Sequence, residues 1–178
     1  ILGANGGETL RIGTSHYSLT DSNTRVVNNF FDRCNGEVEI ISNKSGNNRF
    51  EGNVFYESRG TLTLRHGNGN TVTNNAFIGN GVPHTGGVRI INADQTVNDN
   101  LFFRLTGYRF GGGFVVMNGV PDSPINRYHE VKNARISNNT FIDVEYILFG
   151  EGSDEERSAP PSESHFVNNI LIGKAGSS

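Results

Sequence analysis

The chain has 178 residues, of which 34% are hydrophobic and only 19% are charged. Its net charge of −3 argues against a general nucleic-acid binder, and no apolar run of about 18 residues predicts a transmembrane helix. Twelve Phe, five Tyr and 23 Gly indicate an ordered, turn-rich β structure, because disordered chains carry more charge and fewer aromatic residues.

A short motif recurs along the chain: a β-branched or aromatic residue, a pair rich in Asn, and an apolar pair. Its six copies begin at Val26, Phe50, Val72, Val97, Ile136 and Phe166. Measured at the second Asn of each copy, the steps are 24, 22, 25, 39 and 30 residues. A period near 24 is typical of one coil of a parallel β-helix. A propeller would need a longer period, and the Leu pattern of a leucine-rich repeat is missing.

Asn and Gly in the motif suit the turns between strands, because both tolerate the left-handed backbone region. Asn side chains at equivalent turns are also expected to stack into a hydrogen-bonded ladder. The long fourth step predicts a further strand at 114–117 and an insertion loop, and 151–164 is interpreted as a second exposed loop. Loops of this kind often form the wall of a binding groove. No long amphipathic helix is expected.

Two carboxylates, Glu37 and Glu39, lie two residues apart, so on a strand they would share one face. Like charges repel unless a cation lies between them, and Ca²⁺ prefers such oxygen ligands. Lys44 follows closely enough to reach the same surface. An exposed strand with solvated charges, followed by an ordinary surface lysine, is the simpler alternative.

Two arginines recur at about one coil from this group. Arg65 lies 21 residues after Lys44, and Arg89 lies 24 residues after Arg65. The spacing predicts a column of Lys44, Arg65 and Arg89 on one face, which would suit an anionic linear polymer. Unrelated surface charges are the alternative.

Segments 37–45 (EVEIISNKS) and 60–67 (GTLTLRHG), at this spacing, strongly resemble polysaccharide lyase family six. That family contains alginate lyases and chondroitinase B. The similarity extends to 5–9, 11–18 and 86–89, so it covers most of residues 1–105. Together with the repeat it implies an all-β fold, a right-handed single-stranded parallel β-helix with about 22–30 residues per coil, as a single domain over 1–178.

The resemblance assigns roles to residues at matching positions. It implies that Ca²⁺ is bound by the side chains of Asn5, Glu37 and Glu39. It implies a Brønsted base at Lys44 and a Brønsted acid at Arg65. His66 and Arg89 fall where the family contacts sugar carboxylates.

The implied activity is Ca²⁺-assisted β-elimination of a polyuronate. Alginate is the preferred substrate, since 15–18 and 65–70 look closer to the alginate-cleaving members. The resemblance also implies a secreted or periplasmic location. Three alternatives remain open: a non-catalytic carbohydrate-binding or structural β-helix, a uronate C5-epimerase, and a chondroitin or dermatan sulfate lyase.

Family members are normally much longer than this chain, with coils before the first motif. We therefore expect a fragment of a longer catalytic domain, truncated at its N-terminal end. An uncapped coil exposes unpaired strands, so self-association through the coil ends is a further expectation.

Overall fold

A computed structural model describes residues 6–173. Within that range the chain folds into three parallel sheets of six short strands each. Successive strands of the chain fall in successive sheets, and each sheet pairs every third strand. This is the topology of a parallel β-helix, so the predicted fold class is confirmed.

Each sheet takes one strand from every coil. Sheet 1 contains β1 (Leu10–Gly13), β4 (Glu39–Lys44), β7 (Gly60–His66), β10 (Thr85–Ile90), β13 (Phe114–Met117) and β16 (Ile147–Glu151). Sheet 2 contains β2 (Arg25–Val27), β5 (Arg49–Glu51), β8 (Thr71–Thr73), β11 (Thr96–Asn98), β14 (Arg135–Ser137) and β17 (His165–Val167). Sheet 3 contains β3 (Phe30–Asp32), β6 (Val54–Tyr56), β9 (Ala76–Ile78), β12 (Leu101–Phe103), β15 (Thr140–Ile142) and β18 (Ile170–Ile172). Two 3-10 turns span Ser15–Tyr17 and Arg109–Gly111.

A column of stacked phenylalanine rings fills the interior beside sheet 3. The rings of Phe31, Phe55, Phe77, Phe102 and Phe141 succeed one another at centroid distances of 4.5, 4.7, 4.9 and 4.6 Å. In-register pairing of the sheet 3 strands places one ring directly above the next. The second residue after each Asn pair therefore forms the core, whereas the first points outward.

The second Asn of each motif forms the predicted ladder between sheets 2 and 3. Each side-chain carbonyl accepts hydrogen bonds from the backbone and side-chain amides of the Asn one coil earlier, at 2.9–3.1 Å. The left-handed turn conformation belongs to the residue just before the ladder Asn. Its φ lies between 55° and 65° at Asn28, Gly52, Asn74, Asp99, Asn138 and Asn168.

The predicted strand at 114–117 is β13, and the two insertions are loops. Residues 118–131, which we call the strap, cross the outer surface of sheet 1. The strap is fixed at Gly119, whose backbone pairs with Ala159, and at Ser18, whose hydroxyl donates to the Ile125 carbonyl. Apolar side chains of the strap and of the sheet meet in a group that we call the outer cluster: Ile91, Val115, Met117, Phe110, Tyr128 and Leu148.

The last coil leaves apolar side chains exposed: Phe149, Val167, Ile170, Leu171 and Ile172. The strands β16, β17 and β18 each have one hydrogen-bonded neighbour, as do β1, β2 and β3 at the other end. Self-association through these ends stays a prediction. Among residues 6–173, no helix has the length and apolar character needed to cross a membrane.

Candidate active site

The outer face of sheet 1 carries the polar residues singled out in the sequence. One row across the strands, in register, is Arg11, Ser42, Thr63, Arg89 and Val115. The next row, toward the C-terminal ends of the strands, contains Gly13, Lys44 and His66. The strap and the outer cluster border these rows, so the face forms the floor of a site with a wall on one side.

The predicted column of Lys44, Arg65 and Arg89 is wrong in its register. Lys44 pairs with His66, and Arg89 pairs with Thr63, so Arg89 lies about one pleat away from the others. The offset arises between β7 and β10, where Arg89 pairs with a residue 26 positions earlier (89 − 63), although Arg65 is only 24 positions earlier. A separate β-bulge between Asn43 and Lys44 leaves Arg65 as an extra residue opposite Lys44. A count of residues cannot detect such an insertion.

The two glutamates of the first motif do not share one strand. Glu39 is the first residue of β4, whereas Glu37 lies in the bend before it. The Glu37 carboxylate accepts backbone hydrogen bonds from Gly6 at 3.0 Å and Gly7 at 3.2 Å. Asn5 lies outside the described residues, but its neighbour Gly6 is thus held against Glu37.

Glu39 forms a buried ion pair with Arg89. Arg89 is 2% exposed and Glu39 is 7% exposed, so both charges are shielded from water. The Arg89 guanidinium also lies 5.4 Å from the centre of the Phe110 ring. Its Nε has no hydrogen-bond partner among the described residues, which leaves one buried donor unused.

Arg65 is partly buried and is held by the strap. Its guanidinium carbon lies 4.0 Å from the centre of the Tyr128 ring, and its Nη1 donates to the Arg127 carbonyl at 3.5 Å. Burial lowers the pKa of Arg65 below its ordinary value, although Tyr128 and Glu39 oppose the shift. The shift makes Arg65 a better proton donor than an exposed arginine.

His66 is almost fully buried, at 1% exposure, close to several positive groups. Burial lowers the pKa of His66 to about 3, and Arg65, Lys44 and His129 add to the effect. The imidazole is therefore neutral near pH 7. Its Nδ1 has no hydrogen-bond partner in the described part of the chain. A sugar contact at His66 would therefore use a neutral ring.

Several residues of the site were missed in the sequence. Tyr128, Phe110 and Arg157 come from the insertions, and Arg11 lies beside Ser42 on sheet 1. The insertions have no place in the repeat, so spacing could not align them with Arg65. Arg11 lies in β1, the strand that precedes the first Asn motif, so the repeat did not mark its position.

The oxygen ligands predicted for Ca²⁺ can be compared with the structure. Within residues 6–173, no group of three or more His, Cys, Asp or Glu side chains is arranged to hold a metal. The predicted set needs only two such residues together with Asn5. Among the described residues, Glu37 Oε1 and Glu39 Oε2 accept no hydrogen bond, so each carboxylate retains one oxygen for a ligand. Such hard oxygen donors fit Ca²⁺.

Comparison with protein families places residues 2–170 on the family model of chondroitinase B. Among curated proteins the comparison found no match. Among solved structures, the PL6 family alginate lyase AlyGC is 62% identical, covers 98% of this chain, and gives a TM-score of 0.90.

Two further solved structures agree. A mannuronic acid specific polysaccharide family 6 lyase from human gut microbiota is 37% identical over 97% of this chain, with a TM-score of 0.83. A PL6 alginate lyase in complex with a trisaccharide is 29% identical over 94% of this chain, with a TM-score of 0.82. This chain spans 26% of AlyGC and 40% of each of the other two. The match of nearly the whole chain shows that it belongs to the chondroitinase B family, in polysaccharide lyase family six.

Proposed function

We propose that the chain carries the catalytic centre of an alginate lyase that acts by β-elimination. The observation that supports it most is the pairing of Lys44 with the bulge that contains Arg65, on the walled outer face of sheet 1. A candidate base and a candidate acid are thereby placed side by side. The family and the alginate-cleaving relatives support the same reaction class.

In the proposed reaction, the amine of Lys44 acts as the base and removes the C5 proton of a uronate. The electrons of the broken C5–H bond form the double bond between C4 and C5, and the bond from C4 to its oxygen breaks. Arg65 donates a proton to that oxygen or stabilises its negative charge. The lowered pKa of Arg65 favours the donation.

Negative charge also develops on the uronate carboxylate as the C5 proton leaves. A calcium ion bound by Asn5, Glu37 and Glu39 would supply positive charge to that carboxylate. The unused Nε of Arg89 and the unused Nδ1 of His66 are candidate polar contacts for the same sugar. Both atoms are buried and have no hydrogen-bond partner among the described residues, so we propose that a bound sugar supplies the missing partner.

Alginate is the proposed substrate, and the enzyme is proposed to be secreted or periplasmic, where such a polymer is met. The mannuronic acid specific relative and the structures with bound oligosaccharide support a polyuronate substrate. Chondroitin or dermatan sulfate is the second candidate, because the matching family model is that of chondroitinase B.

The direct test measures ultraviolet absorbance of the unsaturated product with alginate and with dermatan sulfate. We expect a rise with alginate that Lys44→Ala reduces by at least about 1000-fold, which is within the range of general base catalysis. Lys132→Ala is the control, since Lys132 pairs with Glu163 on the exposed surface. Unchanged activity of Lys44→Ala would overturn the mechanism. A changed mannuronate-to-guluronate ratio without unsaturated product would indicate an epimerase.

The calcium proposal is tested by thermal unfolding without substrate. We expect added Ca²⁺ to raise the Tm of the wild-type protein, because a ligand that binds only the folded state stabilises it. Glu37→Gln should abolish the rise. Glu51→Gln, which alters an exposed carboxylate paired with Arg49, should retain it. An equal rise in Glu37→Gln would place the ion elsewhere.

A further inference from the structure

Arg65 is unusual among the polar residues of the site because it lies in a bulge. A bulged residue has fewer backbone constraints than its neighbours in the ladder, so its long side chain needs another restraint. The strap provides that restraint from the opposite side. The strap side chain stacked on it is Tyr128, whose ring centre lies 4.0 Å from the Arg65 guanidinium carbon.

Tyr128 is itself firmly placed. Its ring belongs to the outer cluster and packs with Val115 and Met117 on sheet 1. Its backbone carbonyl accepts a hydrogen bond from Val120 at 2.7 Å, which closes the strap on itself. The ring is therefore fixed to the sheet and does not depend on Arg65 for its position.

The strap is also tied to the loop after β16 by charges around the same ring. Arg127 Nε donates to the Glu156 carboxylate at 2.9 Å, and the Arg157 guanidinium carbon lies 5.2 Å from the Tyr128 ring centre. Two insertions thus converge on one aromatic ring. Neither insertion is needed to complete a coil, so their meeting at Tyr128 points to a role in the site and not in the fold.

We propose that Tyr128 is a positioning residue that orients the Arg65 guanidinium for the elimination step. This inference rests on the proposed function, in which Arg65 acts at the leaving oxygen. The ring face attracts the cation and its flat surface restricts the plane of the guanidinium. The Arg65 side chain is then already oriented before the reaction, so less conformational entropy is lost on reaching the transition state.

The kinetic test compares Tyr128→Phe with Tyr128→Leu in the purified protein. The phenyl ring keeps the stacking surface, so we expect Tyr128→Phe to retain kcat within about 3-fold, in keeping with a cation–π contact that any aromatic face supplies. Tyr128→Leu keeps apolar packing but loses the ring, so kcat should fall by about 10- to 100-fold with little change in KM. Lys132→Ala, which changes an exposed side chain paired with Glu163 outside the outer cluster, should keep kcat.

A second readout does not require activity. A guanidinium held over an aromatic face experiences a ring-current shift, so the Arg65 Nε–H resonance should be displaced in the NMR spectrum. The displacement should persist in Tyr128→Phe and vanish in Tyr128→Leu, with the resonance assigned from Arg65→Lys. If the wild-type protein cleaves no polyuronate, the proposed function fails while this measurement still decides the contact. Wild-type kcat, or an unchanged resonance, in Tyr128→Leu would overturn the inference.

Discussion

The carboxylate of Glu39 and the guanidinium of Arg89 meet in a buried ion pair although they lie on strands that are not neighbours. Glu39 begins β4 and Arg89 lies in β10, with β7 between them. The pair therefore spans β7 on the outer face, next to Thr61 and Thr63, whose hydroxyls are 2.7 Å apart. Glu39 is predicted to bind the metal and Arg89 the substrate, so their ion pair holds both side chains in place on the floor of the site before any ligand binds.

Breaking this ion pair should be costly. We expect Glu39→Gln to lower the free energy of unfolding by about 3–5 kcal/mol, because it leaves Arg89 buried without a compensating charge. Urea unfolding measures the change. Glu51→Gln is the comparison, since its partner Arg49 stays in contact with water and the expected loss is much smaller.

The single variants Glu39→Leu and Arg89→Met, with the double variant that carries both changes, form a double-mutant cycle. Replacing a buried ion pair by apolar side chains is often neutral, so most of the stability should return. Single losses that simply add in the double variant would contradict a direct coupling between the two charges. Lyase activity should be lost in the double variant even where stability is recovered.

The regular part of the fold could be predicted from the sequence. The Asn pairs mark one turn in each coil, and the second residue after each pair marks the Phe column, because both depend on local backbone preference and burial. The same argument extended to Lys44 and Arg65, which the structure places side by side. It failed for Arg89, because β10 pairs with β7 at an offset of 26 residues (89 − 63) rather than the 24 that separate Arg89 from Arg65.

The wall of the site could not be predicted. Tyr128 acts through a contact made across 63 positions of chain (128 − 65), from a loop that has no repeat to align it. The pairing of Glu39 with Arg89 likewise depends on side chains that cross an intervening strand. Neither contact has a periodic signature, and only the folded chain brings the partners together.

The close approach of β4 and β7 beside the site depends on Gly67, at φ +86°. A Cβ at this position would lie 2.1 Å from the backbone carbon of Ser45, next to Lys44. We therefore expect Gly67→Ala to cost about 3–5 kcal/mol, from left-handed strain together with the clash. Chemical denaturation measures the loss, and kcat should fall because Lys44 and His66 are forced apart.

Gly81→Ala separates the two contributions. Gly81 also has positive φ, at +79°, but a Cβ there would meet nothing nearer than the Arg104 side chain at 3.4 Å. The expected loss is only about 1–2 kcal/mol, from backbone strain alone. Equal losses in the two variants would show that the contact with Ser45 does not constrain the strands.

His66 should make the protein less stable in acid. Its pKa is about 3 in the folded state and about 6.5 when unfolded, so between these values only the unfolded chain binds the proton. Stability contributed by neutral His66 is complete above about pH 6.5 and is lost as the pH falls toward 3. Acidification from about pH 6.5 to 4.5 should cost about 2 kcal/mol, since each pH unit is worth at most about 1.4 kcal/mol and the unfolded-state imidazole is already half protonated at pH 6.5.

His66→Gln isolates this contribution, because glutamine does not titrate. The stability of the variant should fall less steeply than that of the wild-type protein on acidification. Urea unfolding at both pH values gives the two slopes. In the wild-type protein the His66 ring resonances should not move between about pH 5 and 8. Titration of those resonances near pH 6.5, or equal slopes for the two proteins, would show that burial beside Arg65 and Lys44 does not keep the ring neutral.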